Sequence, residues 1–502
     1  MPGEFRYAAY PSARVYDQDG NQIHHLLWGD WVKLTGPMQA GKQPVRVRGT
    51  DGFMFANDLQ TERLLEIVFV DVGQGDGALI VTPADEKLLV DAGVASNLYR
   101  FLCWRFHFQG GMREFDAAII THPDSDHYQG FAAIMREPNI CFKRVYHNGI
   151  MEQKGKPFGP EVTDGGLKYV AELMETQQDL EAFLADKARY GDKAYPNLMK
   201  AALARLSPGG EIRMLAASGD PANPAYVEGF GPNRELRIRV LGPVPEPAPG
   251  GRRRLRWFRE RPGGGSYDEG KTKNGHSVIL RLEYRDVSVL MGGDLNATAE
   301  AHLLGHYTGH PWPPPNQAAE QAMIQAARPY LGVDVAKTCH HGSADFTDTF
   351  MEAVHPAATV VSSGDEECYA HPRCDTLGAI GVHGRGWRPL IFSTELARST
   401  REREGLAQKD LVNLLARIET EQDPTERIEL VRQRDAMLDR LTDRNVTTYG
   451  AINLRTDGRR AVMAYRLEKP GTGKSGGKRT LTRWDIYRLE PAAGGLLAYV
   501  QS

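Results

Sequence analysis

Four side chains that can bind a metal ion are crowded into the short segment THPDSDHYQG, residues 121–130. They are His122, Asp124, Asp126 and His127, and they follow the apolar run FDAAII, which predicts a buried strand. A solvated turn after a strand does not require two imidazoles and two carboxylates so close together. Imidazole and carboxylate are ligands of Zn²⁺, Mn²⁺ and iron, and no thiolate is needed beside them.

Three further predicted strands end in residues of the same kinds. Asp294 ends the strand in SVLMGGD, His340 and His341 end the strand in DVAKTCHHGS, and His371 lies just past the strand AATVVSS. In layered α/β proteins, functional groups gather at one edge of a sheet, where strand ends and loops meet. One cluster alone would be weak evidence, because a solvated turn after a strand or a capping histidine would also explain it. Four clusters with the same placement predict one shared metal site.

The composition narrows the class of protein that positions these residues. The chain has 502 residues, of which 41% are apolar and 25% charged, and its formal net charge is -3. The length predicts two or three domains, and the near-neutral charge means that any nucleic-acid binding depends on a local patch. We find no apolar run long enough for a bilayer span, no secretion signal and no C-x-x-C pair among the five cysteines. These features predict a cytoplasmic protein with no membrane association.

The sequence predicts two domains of different character. Residues 1–62 contain the short strand-like pieces ARVYD, DWVKLTG, QPVRVRG and GFMFA, separated by Gly/Asp turns, and this arrangement resembles a bacterial SH3-like barrel. Residues 63–502 contain the buried strands that carry the clusters. Polar, helix-like sequence interrupts this second domain at about 151–230 and again at 396–443, and we interpret both segments as insertions.

The motifs, taken in order, resemble a known family. HPDSDH is similar to the H-x-H-x-D-H motif of metallo-β-lactamase-fold hydrolases, with Asp124 in place of the second histidine. The run of VDVGQGDGALI, LLVDAG, ITHPDSDHYQG, NGHSVILRL, VLMGGD, AKTCHHGS and YAHP resembles the hydrolase domain of ComEC-type competence proteins and their stand-alone relatives. The resemblance covers about residues 64–395 and the closing strands, without the membrane channel of that family. It implies an α/β fold, an αββα sandwich, to which the N-terminal module and the helical insertions are additions.

The resemblance also implies two divalent metal ions, Zn²⁺ or Mn²⁺. One ion would be held by His122, Asp124 and His341, the other by Asp126, His127 and His371, and Asp294 would bridge them. Two adjacent cations lower the pKa of a bridging water and contact both the attacking and the leaving oxygen of a phosphodiester. Asp126 and His340 are the predicted catalytic residues, with His340 as a phosphate contact or as proton donor to the leaving group. Because His340 and His341 are adjacent, their roles can be exchanged.

Two glycine-containing or basic segments allow further predictions. GQGDG, residues 73–77, leads into the strand ALIV rather than into a helix, so it predicts a tight turn in which Asp76 supports the metal ligands. GRRRLRWFRERPGGG, residues 251–265, combines arginines that bind phosphate with aromatic side chains that stack on unpaired bases. The predicted substrate contacts are Arg252, Arg253, Arg254, Arg256 and Trp257. A solvated loop without function explains this segment equally well.

The sequence therefore predicts a dinuclear, metal-dependent phosphodiesterase, a nuclease that hydrolyses DNA or RNA by a metal-activated hydroxide. Two alternatives stay open. One is a hydrolase of the same fold acting on a small ester, lactone, β-lactam or phosphocholine-type compound, and the other is a non-catalytic binding protein. Nucleic acid is the predicted substrate, and a protein partner would bind through the N-terminal module or the helical insertions.

Overall fold

The computed structural model describes residues 4–108, 111–364, 370–396, 404–442, 446–467, 483–492 and 494–501. Its N-terminal part is an antiparallel sheet with the strand order β3-β2-β6-β5-β4-β1-β7. The strands are β1 (Phe5–Ala8), β2 (Ser12–Tyr16), β3 (Gln22–Leu27), β4 (Trp31–Leu34), β5 (Lys42–Val47), β6 (Thr50–Phe55) and β7 (Leu59–Gln60). Alternate residues such as Val15, Val32, Val45 and Met54 point into a small core of their own. The predicted β module is confirmed.

The larger part of the chain contains two extended sheets. The first has the order β11-β13-β12-β10-β9-β8-β28-β29-β30-β31, with β16 added beside β13. Its strands are β8 (Leu65–Phe69), β9 (Gly77–Val81), β10 (Lys87–Ala92), β11 (Arg113–Phe115), β12 (Ala117–Ile119), β13 (Ile140–His147), β16 (Leu206–Met214), β28 (Ile452–Thr456), β29 (Ala461–Leu467), β30 (Arg483–Pro491) and β31 (Leu497–Val500).

The second large sheet has the order β17-β18-β23-β24-β25-β26-β27. Its strands are β17 (Ala225–Tyr226), β18 (Leu236–Gly242), β23 (Ile279–Tyr284), β24 (Val287–Met291), β25 (Val335–Lys337), β26 (Ala358–Val361) and β27 (Leu390–Ser393). β24 to β27 run parallel, so their carboxyl ends lie at one edge of the sheet. That edge carries three of the four predicted clusters.

Helices pack on the outer face of each large sheet. The α-helices of the described ranges are α1 (Asn97–Phe106), α2 (Ser125–Tyr128), α3 (Phe131–Arg136), α4 (Gln177–Ala185), α5 (Lys187–Tyr190), α6 (Ala194–Leu203), α7 (Glu269–Gly275), α8 (Ala297–Thr308), α9 (Gln317–Leu331), α10 (Asp348–Val354), α11 (Cys374–His383), α12 (Glu404–Thr420), α13 (Pro424–Thr442) and α14 (Val446–Tyr449). Those that pack on the outer faces include α1, α3, α8 and α9. No helix in the described ranges is both long enough and apolar enough to cross a membrane.

The layers follow from the alternation of side chains along the strands. Ile67 of β8 packs between the two sheets, while its neighbour Val68 packs under the helices that include α1 and α3. In the second sheet, Leu280 faces the first sheet, and Ile279 faces the helices that include α8 and α9. Because both sheets are apolar on both faces, each is covered twice. The predicted αββα sandwich is confirmed.

The segment 151–230 differs from its helix-like sequence pattern. Helices α4 to α6 are present, but β14 (Glu161–Asp164) and β15 (Leu167–Val170) form a hairpin that joins β20 (Arg253–Arg256) and β19 (Glu246–Pro247) in a small separate sheet. A second small sheet pairs β21 (Arg259–Arg261) with β22 (Gly264–Tyr267). β16 pairs in parallel with β13 of the first large sheet. Part of this segment is therefore built into the sandwich.

The second interruption contains the predicted helices. α12 and α13 pack against each other and against α3 and α1 on the outer face of the first sheet. A buried ion pair joins them to the sandwich, since Arg434 Nη1 lies 2.6 Å from Glu137 Oε2. Residues 397–403 and 443 of the predicted segment lie outside the described part of the chain.

Candidate metal centre

The predicted clusters come from both sheets. β12 ends at Ile119, and the chain turns at Asp124 into α2, so that Asp126 and His127 lie in the first turn of that helix. Asp294 follows β24, while His340 and His341 lie in a 3-10 turn, Cys339–Gly342, directly after β25. The first and second sheets thus meet at this edge of the sandwich, as expected for strand ends that share a site.

Three buried imidazoles converge on one carboxylate. The Nε2 atom of His127 lies 3.2 Å from Asp294 Oδ1, and the Nε2 atom of His341 lies 3.4 Å from Asp294 Oδ2. These two Nε2 atoms are 3.3 Å apart. His122 Nε2 lies 3.9 Å from Asp294 Oδ2. The convergence places donor atoms from both sheets around a single point.

The opposite nitrogen of two of these rings is held by oxygen. His127 Nδ1 lies 2.8 Å from Asp91 Oδ2, and His341 Nδ1 lies 3.1 Å from the carbonyl oxygen of Ser362. A carbonyl can only accept a hydrogen bond, and an ionised carboxylate likewise accepts, so each Nδ1 carries the proton. In the neutral form of each ring, the lone pair of Nε2 then lies on the side that faces Asp294.

The third ring is held by two hydroxyl groups. His122 Nδ1 lies 3.1 Å from Thr121 Oγ1 and 3.2 Å from Ser277 Oγ. Ser277 Oγ also accepts a hydrogen bond from the backbone N–H of Asp294 at 3.0 Å. Gly293 has a φ of +50°, and a Cβ there would lie 2.6 Å from Ser277 Cβ, so glycine permits this close turn. The turn ties the carboxylate to the histidine that faces it.

Asp126 and His340 lie at the open side of the cluster. Asp126 Oδ2 lies 3.5 Å from His341 Nε2. His340 Nε2 lies 3.8 Å from Asp294 Oδ2, and its side chain is 27% exposed, whereas that of His341 is 5% exposed. His340 and His341 both have left-handed backbones, with φ of 47° and 53°, which turns the two adjacent rings in different directions.

Two other predicted ligands are more peripheral. Asp124 Oδ1 lies 3.2 Å from Lys273 Nζ, so this carboxylate pairs with a lysine of α7. The His371 ring lies 5.6 Å from the ring of His340 and 6.4 Å from that of His341, centroid to centroid. The structure thus places His341 beside His127 and Asp126, whereas the sequence-based division put it with His122 and Asp124. The assignment of each residue to a metal remains a prediction.

The charges within the cluster depend on one another. Burial lowers the pKa of His127, but the carboxylates of Asp294 and Asp91 outweigh burial and hold that pKa well above its usual value. His341 behaves in the same way, because Asp294 and Asp76 outweigh its burial. Burial and the neighbouring His127 hold the pKa of His122 well below its usual value. Burial would raise the pKa of Asp294, but the imidazoles hold it far below its usual range.

This donor set fits a divalent cation. Two Nε2 atoms at 3.3 Å with a carboxylate between them repel one another unless a proton or a cation lies there. Among the described residues, the buried His122 Nε2 has no hydrogen-bond partner. The candidate ligand atoms of Asp76, His127, Asp294 and His341 all lie within 4.8 Å of one another. Imidazole and carboxylate donors of this kind suit Zn²⁺, Mn²⁺ or iron.

The arginine-rich arm, residues 251–265, is placed differently from the sequence prediction. Three of its arginines form ion pairs: Arg253 with Glu175, Arg254 with Asp164 and Arg256 with Glu246, at 2.6, 2.8 and 2.6 Å. Arg252 is exposed. A guanidinium already paired with a carboxylate is a weaker site for phosphate, so these contacts do not favour the predicted role.

Trp257 is also occupied within the chain. The residue is 5% exposed. Lys168 Nζ lies 3.7 Å from the centre of its ring, and the ring of Phe158 lies 5.2 Å away. Base stacking requires an open ring face, and these neighbours cover the ring. Its role as a substrate contact remains a prediction that this packing does not favour.

Comparison with known proteins identifies the family. Residues 70–342 match the model of the metallo-beta-lactamase superfamily. The chain belongs to this superfamily. It is 20% identical over 336 residues to ComE operon protein 3 of Bacillus subtilis (strain 168), an alignment that covers 63% of this chain and 31% of that protein. It is 30% identical over 112 residues to competence protein ComA of Neisseria gonorrhoeae, covering 22% of this chain and 13% of that protein.

These relatives confirm the resemblance to ComEC-type proteins. The chain spans less than a third of the length of either curated relative. Membership of the metallo-beta-lactamase superfamily and the buried His/Asp cluster together indicate a hydrolase that uses divalent metal.

Sequence reasoning missed two residues of this metallo-beta-lactamase site. Asp91 supports His127 and also accepts hydrogen bonds from the backbone N–H and the hydroxyl of Thr121, at 2.8 and 2.7 Å. Lys337 is 3% exposed and pairs with the carboxylate of Asp76. The available signal was a charged residue inside an apolar strand: Asp91 in LLVDAG and Lys337 in VDVAKT. Buried charges of this kind need a partner, so each is a site candidate.

Proposed function

We propose that this chain is a metal-dependent phosphodiesterase that hydrolyses nucleic acid. The observation that carries the proposal is the convergence of three imidazole Nε2 atoms on Asp294, within 3.2 to 3.9 Å, while the Nδ1 atom of each ring is held by oxygen. The nucleic-acid substrate is supported by the similarity to ComEC-type proteins, one of which is a competence protein by name.

The distances suggest a revised division of the ligands. Asp126, His127 and His341 would hold one ion, His122 and Asp124 would hold the other, and Asp294 would contact both. Divalent ions held there would lower the pKa of a bound water and stabilise negative charge on phosphate oxygens. For Asp124 to take part, its carboxylate must exchange Lys273 for the ion, since the two side chains pair at 3.2 Å.

The remaining residues position the ligands or face the substrate. Asp91 and Ser362 keep the Nδ1 protons of His127 and His341 in place, so that both Nε2 atoms face Asp294, where they would bind an ion. His340 and His371 lie at the more open side, where an imidazole can contact a phosphate oxygen or give a proton to the leaving group.

We also propose residues 1–62 as a separate binding module beside the hydrolase domain 63–502. Phe5, Trp31 and Phe55 of the module are 46%, 39% and 46% exposed. Exposed aromatic side chains are common in surfaces that bind another protein. These exposed side chains support a role of the module in binding a protein partner, separate from the chemistry of the metal edge.

A second candidate is hydrolysis of a small ester, lactone or phosphocholine-type compound. The ion pairs of the arginine-rich arm favour it, because they remove the basic surface that a polyanion would use. The two candidates share the metal centre and differ in the substrate that reaches it.

The test is a substrate panel with purified protein. Labelled single- and double-stranded DNA and RNA, a small chromogenic phosphodiester, a lactone and a β-lactam are each incubated with Mn²⁺, Mg²⁺ or Zn²⁺. D294N is the inactive variant. D220N is the matched control, because Asp220 is an exposed turn residue that caps Ala222 and Asn223.

We expect metal-dependent cleavage of at least one nucleic acid by wild type and D220N, and none by D294N. Cleavage of a small ester or lactone alone would replace the nuclease proposal by the second candidate. Metal binding without turnover of any substrate would favour the non-catalytic alternative.

A further inference from the structure

A buried lysine lies inside the metal-binding edge, where a cation is unexpected. Lys337 ends β25 of the second sheet, and its side chain is 3% exposed. Its Nζ contacts the carboxylate of Asp76, donates a hydrogen bond to the carbonyl oxygen of Gly293 at 3.1 Å, and lies 3.9 Å from Asp294 Oδ1. The ammonium therefore touches both Asp76 and the turn that presents the central carboxylate.

Asp76 comes from the other sheet and is fixed by its backbone. Its N–H donates to the carbonyl oxygen of Asp126 at 3.2 Å. The preceding residue, Gly75, has a φ of +104°, and a Cβ there would lie 1.7 Å from that same carbonyl oxygen, so only glycine fits. Ser362 Oγ donates to the carbonyl oxygen of Gly75 at 2.8 Å. The Lys337–Asp76 pair thus connects the two sheets at the site.

Asp76 approaches the imidazoles from the side opposite to Asp294. Asp76 Oδ1 lies 3.2 Å from His341 Nδ1, and Asp76 Oδ2 lies 4.0 Å from His127 Nδ1. The Nε2 atoms of both rings face Asp294 instead. The void lined by Asp76 and Lys337 measures about 10 Å³, which is about the space of a single water molecule. A substrate cannot enter there.

We infer that Lys337 and Asp76 form a positioning pair for the metal centre, in which Asp76 supports His341 and does not itself bind the ion. Lys337 holds the Asp76 carboxylate behind the imidazole and, through Gly293, fixes the direction of Asp294. This inference rests on the proposed metal-dependent function and adds two residues to it.

The alternative reading of the same contacts is that Asp76 is a ligand. Its carboxylate belongs to the group whose donor atoms lie within 4.8 Å of one another. Lys337 would then compete with the ion for Asp76. The two interpretations give opposite signs for one substitution: removing the ammonium weakens metal binding if Lys337 positions the ligands, and strengthens it if Lys337 competes.

The experiment is a competition titration of Co²⁺ against a chelator, followed by the visible absorption of the bound Co²⁺. The variants are K337M, D76N, the double variant D76N/K337M and the conservative K337R. K143M is the matched control, because Lys143 forms an ion pair with Asp116 at 2.7 Å on the surface. Circular dichroism of each metal-free variant checks the fold.

We expect K337M and D76N each to weaken Co²⁺ affinity by about 10- to 100-fold, the usual effect of losing a group that orients a ligand. The number of ions at saturation and the Co²⁺ band positions should stay those of wild type. The double variant should bind Co²⁺ about as weakly as either single variant, and not as weakly as the two losses multiplied together, because both changes remove the same pair. K143M should bind like wild type.

Tighter binding by K337M, or loss of an ion by D76N, would overturn the inference and make Asp76 a ligand. Unchanged affinity in both would also overturn it while leaving the proposed function intact. Failure of wild type to bind Co²⁺ would reject the proposed function together with the inference. If K337M does not fold, the comparison is between K337R and the double variant. A Co²⁺ affinity of K337R within about threefold of wild type, together with a weakened affinity of the double variant, would support the pair. Equal Co²⁺ affinities of these two variants would contradict it.

Discussion

The metal edge and the arginine-rich arm were both predicted to be functional from residue type, but the structure leaves the polar groups of the edge open to a ligand and pairs those of the arm within the chain. At the edge, the three buried histidines His122, His127 and His341 each have Nδ1 held by oxygen and Nε2 directed at Asp294. In the arm, three guanidinium groups form ion pairs with carboxylates of the same chain. A polar group is available to a ligand when the protein satisfies its far side and leaves the near side open.

The difference lies in where the supporting partners come from. The histidines are supported by Asp91, Ser362 and Thr121, which lie at the ends of β10, β26 and β12, at the same edge of the sandwich as the ligands. The arm is held by carboxylates from the segment 151–230 and from β19, both of which pack around it. The arm therefore has the character of a structural connection between small sheets, whereas the edge has that of a binding site.

The largest effect is expected at the residue on which the edge converges. D294N should lose at least one bound ion per chain and all metal-dependent hydrolysis, because this carboxylate lies near His122, His127 and His341 alike. Elemental analysis of the purified variant measures the loss. Full metal content in D294N would contradict the contrast between the edge and the arm, since the edge would then bind metal without the carboxylate on which its histidines converge.

The adjacent histidines should separate binding from turnover. H341A should lower metal content, because His341 is buried against His127 and Asp126. H340A should keep its metal and slow hydrolysis by about a hundredfold, the contribution of a general acid. Metal content and kcat are measured for both variants. Equal metal loss in the two would show that His340 is a ligand.

The pH dependence of the metal-free chain should show the raised imidazole pKa values. His127 and His341 have pKa values above the usual 6.5, so the stability that their protonated forms contribute is complete below about 6.5 and is lost as the pH rises through the raised values. The melting temperature in chelator should therefore fall as the pH rises above the usual histidine pKa of about 6.5, while metal affinity rises because protons compete less. A metal-free melting temperature that increases as the pH rises above this value would contradict the charge arrangement.

The smallest effect is expected from the arginine-rich arm. Replacing Arg253, Arg254 and Arg256 by serine should leave the salt dependence of single-stranded nucleic-acid binding nearly unchanged, since their charges are already paired. Replacing their three carboxylate partners by amides should steepen it by about two units, at roughly 0.7 per phosphate newly contacted. A slope that flattens by about two units in the arginine variant would restore the predicted phosphate role.

The fold and the positions of the clusters were predictable because they depend on local patterns. Strand ends and their histidines lie next to each other in sequence, as in FDAAIITHPDSDH and VDVAKTCHH. The parallel strands then bring these ends together. The αββα layers were implied by the resemblance to metallo-β-lactamase-fold hydrolases, and the strands that are apolar on both faces agree with them.

The support of the ligands was not predictable, because it depends on contacts between distant segments. Asp91 precedes His127 by 36 positions, and the carboxylate that Lys337 holds comes from the other sheet. The partners of the arm are equally remote, since Asp164 lies 90 positions from Arg254. Position along the chain gives no sign of which carboxylate will neutralise a cation. β16 was missed for a similar reason: its sequence LSPGGEIRM contains turn residues, and only pairing with β13 makes it a strand.

The most direct test of the central claim is anomalous diffraction from crystals soaked in Mn²⁺ or Zn²⁺, recorded at the absorption edge of the metal. The account predicts anomalous peaks within coordination distance of His127 Nε2, His341 Nε2 and Asp294, about 2.0–2.2 Å for Zn²⁺. Asp76 and Lys337 should remain paired behind the imidazoles. A metal ion within coordination distance of Asp76, with Lys337 displaced from that carboxylate, would contradict the account. The absence of any anomalous peak near Asp294 would also contradict it.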